Sequence, residues 1–179
     1  MHARLAEAMD YVEQKRKELL QSFAGVPRDR LAARSAPDRW SVAQILEHLR
    51  LVESGVARLI TKRVGQARAE GLGEEKSTES VMPSFEPYAY TLQTAAVQSP
   101  APVQPSPDVD VNEALAGLSD SREALRAAAA SANGLSIGEI KHTHVVLGEL
   151  NLYQWLIFLG QHEVRHTKQI ERTLNSIPE

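Results

Sequence analysis

The chain has 179 residues, 42% of them apolar and 24% charged, which supplies a core and fits a single domain over 1–179. Twenty Lys and Arg against 23 Asp and Glu leave a formal charge of -3, so no strong attraction to nucleic acid or to an anionic membrane is expected. The absence of cysteine excludes disulfides, Cys-ligated zinc, iron–sulfur clusters and a cysteine nucleophile, and any metal must be held by His and carboxylates. The longest apolar run, Trp155 to Leu159, is far short of the roughly 20 residues that a spanning helix needs. Acidic and basic residues mix from Met1 onward without a secretory pattern, so a cytoplasmic protein is expected.

Large apolar residues at 5, 9, 12, 19, 20 and 23 carry a helical period and predict a first helix over about 3–24, stopped by Gly25 and Pro27. A second helix is predicted over about 41–63. Ser41 is its cap, Gln44 stands at the reciprocal capping-box position, and Trp40 is placed as a hydrophobic staple. The next stretch, 64–110, is rich in Gly and then Pro, and its proline density argues against a helix. Phe85, Tyr88 and Tyr90 predict that its middle packs on the body, with a mobile stretch near 71–80.

A third helix is predicted over about 111–133, capped by Asp110 with Glu113 at the capping-box spacing, and ending at Asn133-Gly134. An irregular segment holding His142, His144 and Gly148 follows, with no convincing strand. The last helix, about 151–175, has Asn151 as cap and Gln154 at its third position, and keeps its apolar period until Leu174, before Pro178. Four helices with one long Pro-rich crossover between the second and third is a recognised variant of the all-α four-helix bundle.

Three histidines interrupt apolar stripes. His162 and His166 are one turn apart on the stripe that also carries Leu152, Trp155, Leu159 and Ile170. His48 shares its stripe with Ile45, Val52 and Leu59. Burying an unpartnered imidazole costs roughly 1–3 kcal/mol, so three in such positions should converge on a group that satisfies them. A divalent cation does this, and three protein ligands with an open position is the pattern of catalytic zinc. The bland alternative for each is a hydrogen-bonded core histidine.

His162-Glu163-Val164-Arg165-His166 also matches the zinc-protease pattern H-E-x-x-H. Its context is poor: only thirteen residues follow His166, and Gln169 and Arg172 stand where the longer pattern needs Gly and His. Glu163 reads as a solvated helix residue, with a base role near metal-bound water as its functional alternative. Arg165 points about 100° from the next residue and is expected to pair with an acid across the bundle, a substrate-anion role being its alternative. Trp155 reads as core or pocket floor, Tyr153 as a surface or interface residue, and His2 and His142 as exposed.

Trp40-Ser41, His48-Leu49, His144-x-x-x-Gly148, Gln154-Trp155-Leu156 and His162-x-x-Arg165-His166-x-x-Gln169-Ile170 together resemble the DinB/YfiT-like superfamily of metalloenzymes. The resemblance runs from end to end of the chain. It implies an up-down-down-up bundle and a divalent transition metal (Zn, Ni, Fe or Mn) held by His48, His162 and His166. Where many relatives have proline after the His144-like position this chain has Val145, and His144 is expected to be a hydrogen-bonded loop residue, with a pocket contact as its alternative. Characterised relatives include thiol S-transferases that use low-molecular-weight bacterial thiols, so the resemblance implies transfer of a metal-bound thiolate to a small-molecule electrophile. A metal-dependent hydrolase and a non-catalytic metal- or ligand-binding protein of the stress response remain alternatives. The expected partners are a small-molecule substrate and such a thiol, with neither nucleic acid nor membrane, and a homodimer is compatible with the resemblance.

Overall fold

The computed structural model describes residues 1–95 and 98–177, so Pro178 and part of the crossover (96–97) lie outside the described residues. Helix α1 spans Ala3–Gln21, a short α2 Arg28–Ala32, α3 Val42–Ala69, α4 Glu86–Thr94, α5 Val111–Ser131 and α6 Leu152–Asn175. Strands β1 (Lys141–His144) and β2 (Gly148–Asn151) form an antiparallel hairpin.

Cross-helix contacts fix the directions. Arg122 Nε bonds Glu53 Oε1 at 2.8 Å and Arg68 Nη2 bonds the Ser131 carbonyl at 2.7 Å, so residue numbers rise together along α3 and α5. Gln161 bonds the Tyr11 hydroxyl at 2.7 Å and Arg4 lies 4.8 Å from the Tyr153 ring centroid, so α1 and α6 are parallel too. Arg16 reaches the Leu118 carbonyl while the His2 amide reaches Asn133, which sets α1 against α5. The result is an up-down-down-up four-helix bundle of α1, α3, α5 and α6.

Caps start these helices where the sequence places them. Ser41 with Gln44 and Asn151 with Gln154 both form complete capping boxes. Asp110 accepts from the amides of Asn112 and Glu113, its backbone hydrogen bonds being completed without a reciprocal bond from the Glu113 side chain. Helix α3 outruns its expected end at 63 because Val64 continues the buried series Val56, Ile60, which outweighs the roughly 1 kcal/mol penalty of Gly65. It stops at Gly71, whose φ of 87° permits the two closing bonds, Leu72 N–H to Ala67 O and Gly71 N–H to Arg68 O.

The crossover is more structured than expected. Helix α4 begins with Pro87 in its first turn, where proline is tolerated, and then runs through a proline-free stretch. Phe85 is buried and Tyr88 packs beside it, whereas Tyr90 is exposed. The segment expected to be mobile is tied down: the Glu75 amide bonds the Gly134 carbonyl, and its carboxylate takes hydrogen bonds from Arg4 and Tyr153. Tyr153 is accordingly buried rather than on the surface. The hairpin was not expected because its first strand, Lys-His-Thr-His, has no apolar alternation to read.

The apolar core falls into two clusters. Between them the four long helices contribute buried polar groups at one level: Arg16 from α1, Glu53 from α3, Arg122 from α5, and Glu163 from α6. His48, His162 and His166 are buried beside this layer. Among the described residues no helix is long and apolar enough to cross a membrane.

Candidate metal centre

His48 comes from the second turn of α3, and His162 and His166 from consecutive turns of α6. The structure brings all three together, with one ligating atom from each within 4.8 Å of the others. His162 Nε2 lies 3.4 Å from His48 Nε2 and 3.1 Å from His166 Nε2, so the same ring nitrogen points inward in each case.

The outer nitrogens explain why. His48 Nδ1 faces the Val103 carbonyl at 2.6 Å, and His166 Nδ1 faces Gln169 Oε1 at 2.8 Å. Both partners accept, so each Nδ1 carries the proton and each Nε2 presents a lone pair. Such outer partners orient ligating histidines in metal sites. The His162 ring is set by stacking on Phe158, with centroids 5.3 Å apart and planes 23° apart, and Trp40 lies 5.1 Å from the His48 ring.

Burial keeps the cluster neutral. It lowers His48 below the ordinary imidazole range against the opposing pull of the Val103 carbonyl. His162 is held well below that range by burial and then by its two neighbouring imidazoles, and His166 is brought down to about 3, again mainly by burial. Three neutral, inward-facing imidazoles are the donor set that a divalent transition metal takes.

The triad lies in the wall of a pocket of about 860 Å³. Its apolar side is built by Val52, Val56 and Leu59 of α3 with Trp155 and Phe158 of α6. Trp155 lies 8% exposed at this wall and its indole N–H bonds the His142 carbonyl, joining pocket and hairpin. His144 also lines the pocket, packed against Trp155 and Phe158, as does the exposed His142.

Two expectations are corrected. Among the described residues Arg165 pairs with no acid: its guanidinium donates to the carbonyls of Leu92 and Ala95, fastening the end of α4 to α6 at the pocket edge. Glu163 is neither solvated nor in the pocket. It is 3% exposed on another side of α6, where Oε1 accepts from Arg16 Nε at 2.7 Å and Arg122 Nη2 at 2.9 Å. Burial still pushes its carboxyl up to about 7. A base role in the pocket is therefore closed to it. Sequence reasoning gave no role to Gln169 at the outer nitrogen of His166, although its i+3 spacing is a usable signal; the Val103 carbonyl carries no side-chain signal at all.

A sequence model of the DinB superfamily matches residues 11–170. The chain belongs to the DinB superfamily. It is 25% identical over 170 residues to the uncharacterized protein YuaE of Bacillus subtilis (strain 168), covering 94% of this chain and 98% of that one. The crystal structure of TT2238, a four-helix bundle protein, superposes with a TM-score of 0.61 at 22% identity, covering 94% of this chain and 98% of the other. That likeness shows the fold alone, so for this DinB-superfamily member the chemistry must be argued from the triad and its pocket.

Proposed function

We propose that the protein is a divalent-metal-dependent enzyme acting on a small molecule, and that its reaction transfers a low-molecular-weight thiol to an electrophile. One observation carries the reading: three buried, neutral imidazoles bring their Nε2 atoms together in the wall of an 860 Å³ pocket. The donor set fits the group: outer acceptors hold the Nδ1 protons of His48 and His166, so their Nε2 lone pairs face His162 Nε2 at 3.4 and 3.1 Å. A divalent cation held there with open positions supplies positive charge that favours the anionic form of a coordinated thiol.

The chain's own residues do the rest. Val103 and Gln169 hold the ring orientation of His48 and His166, so the donor geometry exists before any ligand arrives. Val52, Val56, Leu59 and Phe158 offer an apolar wall that receives the body of an electrophile and keeps water from competing for it. In the transfer the thiol sulfur forms a bond to carbon, the leaving group departs with its electron pair, and the thiol proton passes to solvent. With no cysteine in the chain, the thiol must come from a second substrate. The hydrolase alternative is weakened by the burial of Glu163 against two arginines, which removes its base.

The test is conjugation of 1-chloro-2,4-dinitrobenzene by protein loaded with zinc, nickel, iron or manganese, offered cysteine, 2-mercaptoethanol, or water alone. Thiol-dependent turnover that is lost on chelation and in His162→Ala is expected. Product with water alone would favour the hydrolase. Equimolar metal without turnover across a broad electrophile panel would favour a binding protein.

A further inference from the structure

The pocket holds a fourth imidazole whose polarity is the reverse of the triad's. His144 ends β1 at the tip of the hairpin, and its Nδ1 accepts from the backbone amides of Val146 at 3.1 Å and Leu147 at 3.2 Å. Both partners are obligate donors, so Nδ1 must be the unprotonated nitrogen and the proton of the neutral ring sits on Nε2. His48 and His166 meet acceptors at Nδ1 and present lone pairs; His144 meets donors there and presents an N–H. Nε2 of His144 has no hydrogen-bond partner among the described residues and is not one of the sealed, unpartnered buried atoms. The ring is also fixed sideways, edge-on to Phe158 at 4.6 Å and tilted on Trp155 at 5.1 Å.

We infer that His144 is a fixed hydrogen-bond donor of the pocket, whose Nε2–H binds an acceptor oxygen on the small molecule held there, such as a carbonyl oxygen. This deepens the small-molecule reading of the pocket and names the class of ligand: an apolar body carrying an oxygen acceptor. The same geometry bars two other roles. With its lone pair turned into the hairpin, the ring neither joins the triad as a ligand nor takes a proton from a substrate. It polarises an acceptor instead, as a neutral donor does where negative charge develops. Its immediate surroundings suit a neutral ring, since the faces packed against it are the aromatic Trp155 and Phe158, with His142 on the same strand.

The test uses the full chain, zinc-loaded and uniformly ¹⁵N-labelled. Long-range ¹H–¹⁵N spectra between pH 5.5 and 8 should show His144 protonated at Nε2 alone throughout; an Nδ1–H tautomer or an imidazolium in that range would overturn the inference. Acetophenone and toluene are then titrated as matched probes with and without an acceptor oxygen. The shift of His144 Nε2 should move with acetophenone and stay still with toluene. His144→Asn keeps an oxygen in place of Nδ1 for the two amides, so the hairpin is retained while the donor is withdrawn. That variant should bind acetophenone at least fivefold more weakly and toluene unchanged, and His144→Gln serves as a second donor-bearing variant with partial recovery. Failure of acetophenone to bind, or equal loss for both probes, would sink the inference. Since no turnover is read, this outcome is separate from the thiol-transfer reading, which would fail alone if acetophenone bound through His144 but no thiol were conjugated.

Discussion

Arg122 Nη2 donates to Glu163 Oε1 at 2.9 Å, joining α5 to α6 in the middle of the core, one residue along the chain from a triad histidine. The same guanidinium reaches Glu53 and the Val12 carbonyl, so one side chain ties together all four long helices. Removing one partner of a buried ionic network leaves the others desolvated and uncompensated, at a cost of about 3–5 kcal/mol. Arg122→Met should therefore lower stability by about that amount in urea unfolding. Glu163→Gln at pH 7 should cost less, because burial raises the carboxyl to about 7 and its Oε2 is buried with no partner among the described residues. Metal content should stay equimolar in Glu163→Gln. Loss of metal there would mean that Glu163 acts on the triad.

Gln169 offers the complementary case, a residue outside the ligand set that acts on it. Its Oε1 accepts a hydrogen bond from Nδ1–H of His166 at 2.8 Å and thereby keeps Nε2 free. Gln169→Leu removes that acceptor with little change in volume, and outer partners of this kind typically contribute 10- to 100-fold in metal affinity. Zinc affinity, read by competition with a chromophoric chelator, should fall by about that factor while circular dichroism is unchanged. An unaltered affinity would show that packing alone fixes the His166 ring.

Why the triad could be read from sequence while its supports could not follows from where each signal lives. His48, His162 and His166 stand out because each breaks an apolar period on its own helix, a local pattern. Ser41 with Gln44 and Asn151 with Gln154 are equally local, and both boxes form. Glu163 reads as solvated because its partners, Arg16 and Arg122, are 147 and 41 residues away, and only the assembled bundle sets them together. Tyr153 looks like a surface residue for the same reason, its partner Glu75 lying across the crossover. The hairpin is closed by backbone pairing of polar residues, and α4 by a gap between prolines, neither of which leaves an apolar period.

Acidification should destabilise the metal-free protein, and the sign can be worked group by group. Burial lowers four histidines: His48 and His162 below their usual range, His166 to about 3, and His144 to about 4. Below the ordinary value of 6.5 the unfolded chain binds protons at these sites that the folded chain refuses, so stability present above pH 6.5 is lost as pH falls toward the folded values. Glu163 opposes this. Raised from 4.5 to about 7, it holds a proton in the folded state through that window and favours folding as pH falls. Four groups against one leaves a net loss between pH 6.5 and 4.5. Urea midpoints for chelator-treated protein should fall steadily over this range. A midpoint that holds or rises would mean that the triad rings are charged and solvated in the folded state.

Gly160 tests how closely α6 approaches α1. A Cβ built at this position would stand 2.5 Å from Tyr11 Cε1 and 2.8 Å from Cδ1. In an open helix interior Gly→Ala gains about 1 kcal/mol from propensity. Here the ring cannot swing aside freely, because the Tyr11 hydroxyl holds Gln161 at 2.7 Å. Overpacking of this kind costs about 1–3 kcal/mol, so Gly160→Ala should be net destabilising in spite of propensity. Trimming the obstacle reverses the sign: in a Tyr11→Ala background the same change should stabilise, and the double-mutant cycle should give a favourable coupling of at least about 1 kcal/mol. Equal effects of Gly160→Ala in both backgrounds would show that α1 and α6 are packed less tightly at this level than the Tyr11 ring position requires.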